Sequence, residues 1–243
     1  MSVHRILPGL HELRLPGVNA FLLESESEGL TLVDTGLPGS AAAIIDAVHA
    51  LGREASDLRQ ILVTHCHADH TGNLAELKRL TSARVFMHRR DAALVAKGRA
   101  MRPLFPSPGI LNSFLFRRMV GPKPTTIAPV EADVLVEHRE QIPVWGGISV
   151  IHTPGHTEGH LVFLARSRGV LFVGDAAANF FDLRLMVAYE HFQQGVMSLR
   201  HLCRYRFEVA CFGHGPSIPH GAARRFRNRW ESRSSPTRGR AMV

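Results

Sequence analysis

Residues 61–72 read ILVTHCHADHTG, and the second half of that run sets the problem. Positions 65–70 hold three histidines, an aspartate and a cysteine in six places. The chain has 15 histidines in 243 residues, too few to make such a run an accident. A packed core has no use for it, whereas imidazole and carboxylate at close spacing are the makings of a metal site. If ILVTH continues as a strand, its period of two puts His65 and His67 on one side and Cys66 on the other. Cys66 then reads as a small buried side chain and not as a ligand. Asp69 and His70 fall where the chain turns into the next element, and they approach the same point from another angle.

The motif is not isolated. Short apolar, β-branched runs end repeatedly in His or Asp: LTLVD at Asp34, VFMH at His88, ISVIHTPGH at His156, LFVGD at Asp175 and VACFGH at His214. Such runs read as buried strands. In layered α/β proteins ligands sit beyond strand ends, where loops converge. His65, His67, Asp69, His70, His156, Asp175 and His214 together make seven candidate ligands. That is too many for one tetrahedral ion and suits two. His88, His152 and His160 read as structural or supporting side chains.

Helical patterns lie between the strands. SAAAIIDAVHALG (40–52) has Ser40 at its start and Gly52 as a stop; TGNLAELKRL (71–80) and HGAARRFRNRWE (220–231) follow the same period. The order predicts one α/β domain with helices flanking two packed sheets. Residues 97–129 stand apart, with six prolines and apolar residues that include Phe105, Phe114 and Phe116. A long insertion of this kind is a lid or binding wall, or else a packed excursion or a contact within a homodimer. GILNSFLFRRMVG reads as a short helix inside it. The stretch NFFDLRLMVAYEHF, with Phe180, reads either as a second wall of the site or as an ordinary core helix.

Composition bounds the rest. An apolar share of 45% supports a folded core. No apolar run approaches a membrane span and the first residues contain no signal-like segment, so no membrane partner is expected. Cys66, Cys203 and Cys211 are sparse and odd in number, which points to a reducing cytoplasm. Of the net charge of +8, residues 224–243 carry +6 through seven Arg and one Glu, leaving +2 for the other 223 residues. The division expected is a domain over 1–223 and a basic tail over 224–243. Specific nucleic-acid binding is not expected from a near-neutral body.

Taken together, these motifs resemble those of metallo-β-lactamase-fold hydrolases of the glyoxalase II and lactonase branch. H-x-H-x-D-H stands at 65–70, TPGHTEGH at 153–160, FVGD at 172–175, FGHG at 212–215 and VDTG at 33–36, in the family's order. The resemblance implies a four-layer αβ/βα sandwich with its site at one sheet edge. It assigns His65, His67 and His156 to one divalent metal and Asp69, His70 and His214 to a second, with Asp175 bridging. It implies zinc, with iron or manganese as substitutes, and a bridging hydroxide that attacks a carbonyl of a small-molecule ester, thioester or lactone. Asp69 is the catalytic candidate, and Asp34 supports the ligands from behind.

Departures narrow the reading. Lactam-cleaving relatives with this histidine motif lack the bridging aspartate that Asp175 supplies. Lactonases place a tyrosine three residues after it, where this chain has Ala178. Only 29 residues follow His214, which leaves little room for a glutathione-binding helical domain. The alternatives kept open are a mononuclear-iron sulfur dioxygenase-like oxidoreductase and a metal-binding protein without catalysis.

Overall fold

The computed structural model describes residues 2–25, 27–120 and 124–231. The chain starts with β1 (Ser2–Leu7), β2 (Leu10–Leu15), β3 (Val18–Ser25) and β4 (Gly29–Val33), an antiparallel meander. Helix α1 (Ala41–Ala50) leads to β5 (Leu58–Leu62), which lies parallel to β4. A one-turn helix, α2 (Ala68–Thr71), precedes α3 (Leu74–Thr81), β6 (Arg84–Met87) and α4 (Arg89–Val95). The insertion contributes β7 (Phe105–Pro106) and α5 (Ile110–Met119), and β8 (Val134–Leu135) then extends the first sheet.

The second half holds β9 (Gln141–Ile142), β10 (Ile148–His152), β11 (Leu161–Ala165) and β12 (Val170–Gly174). Three short strands follow, β13 (Ala178–Phe180), β14 (Asp182–Arg184) and β15 (Ala188–Tyr189), then α6 (Phe192–Leu202), β16 (Val209–Phe212) and α7 (Ala222–Trp230). The large sheet runs β1-β2-β3-β4-β5-β6-β8, and the smaller one β16-β12-β11-β10-β9.

Three apolar layers hold these sheets, and strand alternation sorts side chains among them. Leu22 and Leu32 face α1 and α3, packing on Ile44, Val48 and Leu77. Their neighbours Phe21, Leu23 and Val33 face the other sheet, meeting Val150, Phe163 and Phe172. Ile151, Val162 and Leu171 turn outward again, onto Leu199 and Leu202 of α6 and Phe226 and Trp230 of α7. The result is the expected helix–sheet–sheet–helix sandwich.

Local differences have physical causes. The strand carrying ILV stops at Leu62, so residues 63–67 are loop and α2 starts directly after His67. The expected helix over 71–80 is two pieces, broken between Thr71 and Leu74. NFFDLRL is no core helix: β13 and β14 form a ribbon, and β15 pairs with β7 of the insertion. Residues 224–230, counted above with the basic tail, belong to α7, whose Phe226 and Trp230 are buried. The remainder of that tail, 232–243, lies outside the described residues.

Candidate metal centre

All seven candidate ligands meet at one end of the two sheets. Six are buried, and His214 is half-buried. His65 and His67 lie in the loop after β5, Asp69 and His70 on α2, His156 after β10, Asp175 after β12 and His214 after β16. The last residues of each parent strand are buried, or nearly so, on both faces, so its end is held rigidly while the following loop is free to carry polar groups.

The first donor set is His65 Nε2, His67 Nδ1 and His156 Nε2, with both end nitrogens 3.1 Å from His67 Nδ1. Donors about 2.0–2.1 Å from a tetrahedral ion stand roughly 3.3 Å apart, close to that spacing. The opposite nitrogens show where protons lie. His156 Nδ1–H donates to the Ala188 carbonyl at 2.9 Å. The Thr64 hydroxyl donates to Asp34 at 2.8 Å, so its oxygen accepts His65 Nδ1–H at 3.0 Å. The Nε2 lone pairs of His65 and His156 therefore point inward at close range, an arrangement that a cation relieves.

The second set is Asp69, His70 Nε2 and His214 Nε2. His214 Nε2 is 3.3 Å from Asp69 Oδ2, while His70 Nε2 is 4.0 Å from it. His70 Nδ1–H donates to Asp34 at 2.8 Å and His214 Nδ1–H to the Gly17 carbonyl at 2.8 Å, which again aims Nε2 inward. Asp175 faces both sets. Its Oδ2 lies 3.4 Å from His156 Nε2 and 3.3 Å from His214 Nε2, and its Oδ1 3.4 Å from His70 Nε2. His70 Nε2, His214 Nε2 and Asp175 Oδ1 are buried without making a hydrogen bond. Buried polar atoms left this way call for a water or an ion, and their convergence on carboxylates favours a cation. These residues fit two divalent cations sharing Asp175.

Electrostatics agree with that fit. Burial and the crowd of neighbouring imidazoles hold His65 well below its ordinary value, so it is a neutral donor. Burial opposes ionisation of Asp175, but His214 and His70 outweigh it and keep the carboxylate charged. Burial likewise opposes charge on His214, and Asp175 and Asp69 still push it up to about 9. The metal-free site thus stores protons where cations would supply positive charge.

Around the donors runs a frame of hydrogen bonds. Asp34 accepts the Thr64 amide at 2.8 Å in addition to the Thr64 hydroxyl and His70. It adopts a left-handed backbone, φ +61°, a conformation that aspartate tolerates better than most residues and that tends to collect at functional sites. His160 accepts the Asp175 amide at 3.0 Å through Nε2. Gly213 has no room for a side chain, because a Cβ there would strike Asp175 Oδ1 and come within 2.7 Å of His70 Cε1.

Two elements of this frame were not read from the sequence. Asn73 donates to the carbonyls of Thr35 and Leu37 and accepts from Ser40 at 2.9 Å, stapling the VDTG loop to the α2–α3 junction. Asp91, fully buried, joins the two histidine loops. Its Oδ2 accepts the Cys66 amide (3.1 Å) and the Thr157 hydroxyl (2.6 Å), and its Oδ1 accepts the Gly159 amide (3.1 Å) and Arg102 (2.7 Å). Arg102 also donates to Glu190 at 3.3 Å. Burial pushes the Glu190 carboxyl up to about 7, against the pull of Arg102. An apolar-framed His-rich motif draws the eye to itself; only a lone Asp in the first turn of α4 hinted at this tie.

Cys66 is buried in the helix-side core, outside every donor set. Burial pushes its thiol up, so it is an inert thiol. The reason differs from strand alternation, since no strand is present there: the Asp91 bond to its amide helps to fix the loop.

A cavity of about 1010 Å³ opens over His67, Asp69, His156, Asp175 and His214. Its walls include Leu15, Val18, Met101, Leu104, Leu115 and Phe180. Of the four phenylalanines expected here, only Phe180 lines it. Phe105 and Phe114 are exposed and Phe116 is half-buried outside the lining, because α5 turns Asn112 and Leu115 inward at i, i+3 spacing. Ala178 and Phe181 also line it, as do Arg14 and Arg184.

The sequence profile of the metallo-β-lactamase superfamily matches residues 13–214. The uncharacterised protein YobT of Bacillus subtilis is 37% identical over 160 residues, covering 65% of this chain and 61% of its own. A hydroxyacylglutathione hydrolase of Methylobacillus flagellatus is 32% identical over 139 residues, covering 57% of this chain and 40% of that one. The chain therefore matches only part of each relative's length. A crystal structure of a metallo-β-lactamase family protein from Thermus thermophilus superposes with a TM-score of 0.68 at 26% identity, covering 93% of this chain and 80% of the other.

Proposed function

This chain belongs to the metallo-β-lactamase superfamily, and from that membership we propose that it is a two-metal hydrolase of carbonyl esters, thioesters or lactones that carry an apolar group. The observation that carries the reading is Asp175, whose carboxylate faces both donor sets at the floor of a largely apolar cavity. Two divalent cations held there would lower the pKa of water from 15.7 to about 7 and polarise a carbonyl oxygen.

The chain's own residues supply the rest. Asp69 lines the cavity and keeps a carboxylate beside His214, placed to take a proton from an attacking water. Asp34 and His160 fix ligand direction, so the donors need no rearrangement when charge develops. Leu104, Leu115 and Phe180 offer apolar surface to an acyl or aromatic part. A relative named as a hydroxyacylglutathione hydrolase is in keeping with this class. All donors are nitrogen or oxygen, which suits zinc and admits iron or manganese. A mononuclear oxygenase reading leaves Asp69, His70 and His214 converged for no task. A reducing, cytoplasmic setting belongs to the same proposal, supported by three buried cysteines without a disulfide.

Metal analysis of protein purified without chelator should approach two ions per chain. A value of one, insensitive to Asp175→Ala, would favour the mononuclear alternative. A metal-replete enzyme tested on aryl esters and lactones of increasing acyl length should gain several-fold in kcat/KM per carbon, since each buried CH₂ contributes about 0.8 kcal/mol. A flat series would refute the apolar pocket. Cleavage of a cephalosporin with no turnover of any ester would refute the substrate class.

A further inference from the structure

Helix α5 is inverted relative to an ordinary surface helix. Asn112 and Leu115 face the cavity, while Ile110, 93% exposed, stands in solvent with Leu111 and Phe114. At helical spacing Arg117 and Arg118 continue the same outer face, both exposed. On another part of the cavity rim, the β13–β14 turn holds Phe181 fully out in solvent and Phe180 partly so. Scattered exposed apolar residues need no explanation, but a group of them around one opening marks an interaction surface.

Charge indicates the partner. From Ala92 to Val130 the chain has six cations and no carboxylate. One of them, Arg102, is committed to Asp91 inside the fold. Asp182, next to Phe181 on the other lip, is engaged by Arg225 at 3.0 Å. A second copy docked here by two-fold symmetry would use the same patch on both sides and bring like charges together. Free-standing apolar tips flanked by guanidinium groups instead suit a fluid surface of acyl chains under phosphate headgroups.

We propose that this rim of the cavity docks on anionic lipid bilayers, with Ile110, Leu111, Phe114 and Phe181 entering the acyl boundary and Arg117 and Arg118 at the phosphates. The docking is peripheral, since no helix among the described residues is long and apolar enough to cross a membrane. It departs from the expectation of no membrane partner, which rested on the lack of a span. It does not depend on the chemistry at the metal centre.

The full chain should co-sediment with phosphatidylcholine–phosphatidylglycerol vesicles, bind pure phosphatidylcholine weakly, and lose binding as salt rises. Arg117→Glu with Arg118→Glu should cut the partition coefficient about thirtyfold or more, because each basic group near such a surface contributes about fivefold. Ile110→Ser with Leu111→Ser should weaken binding too, and both double variants should keep the wild-type melting temperature and metal content. A chain ending at Trp230 should still bind in an α5-dependent way. No vesicle binding, equal binding to neutral and anionic vesicles, unchanged binding of both variants, or loss on removing only the tail would each overturn the proposal. A dimer abolished by Ile110→Ser with Leu111→Ser, without vesicle binding, would assign the face to a second copy.

Discussion

Replacing Asp91 by Asn tests whether the metal ligands are held from outside the site. The carboxylate accepts four donors: the Cys66 amide, the Thr157 hydroxyl, the Gly159 amide and Arg102. An asparagine keeps one oxygen and turns an NH₂ towards two of those donors. Whichever way it is seated, at least one backbone amide, Cys66 or Gly159, loses its acceptor, and the Arg102 charge loses its main partner. Leaving a buried donor unsatisfied costs about 1–3 kcal/mol, and breaking a buried ion pair from one side about 3–5 kcal/mol. The terms overlap, so a loss of about 3–5 kcal/mol is expected for the metal-free protein in urea. The informative readout is metal affinity. Asp91 binds between His65 and His67 on one loop and just beyond His156 on the other, so its loss should loosen all three nitrogens. Supporting groups of this kind are worth about 10–100-fold in affinity. Zinc should therefore be taken from the variant by a chromophoric chelator at concentrations that leave the parent loaded. If the variant is folded, less stable by the stated amount, and still binds zinc as the parent does, Asp91 only packs and the reasoning fails.

Three further outcomes are expected. Gly213→Ala should drop metal content from two ions towards one, because the new Cβ strikes Asp175 and His70 and leaves His65, His67 and His156 in place; two ions in the purified variant would contradict the packing. Cys66→Ser should keep both metals while lowering stability by about 1–3 kcal/mol, the cost of a hydroxyl in the apolar layer, as measured by urea unfolding. Truncation after Trp230, the last buried residue described, should leave turnover and melting temperature unchanged, whereas truncation before Ala222 should unfold the outer layer by removing Phe226 and Trp230.

The layers and the donor set were legible because both follow short-range rules. Apolar runs marked the strands, and the polar residue ending most of them, His88 excepted, marked where a loop reaches the site. What resisted reading was any geometry set by partners distant in sequence. NFFDLRLMVAY carries a mixed period, and only pairing of Ala188 with Pro106 across 82 positions makes its end a strand. Phe114 looked like a pocket residue because it is aromatic and lies in an insertion. Which helix face looks inward depends on where the β7–β15 ribbon anchors α5, and composition does not carry that. Asp91 was invisible for the same reason, since its four donors come from three other segments.

The position of Asp34 ties the two donor sets into one unit. Its carboxylate receives His70 directly and His65 through the Thr64 hydroxyl, so one residue from each donor set hangs on the same group. Asp175 joins the sets from the cavity side, and Asp34 joins them from behind. A carboxylate in that place also favours the protonated Nδ1 on both rings, which leaves Nε2 as the donor. The left-handed backbone at Asp34 costs about 1–2 kcal/mol, a strain that packing alone would have no reason to keep. A residue that is at once strained, buried and shared between the sets would be accounted for by the proposed pair of cations, and by neither donor set taken singly.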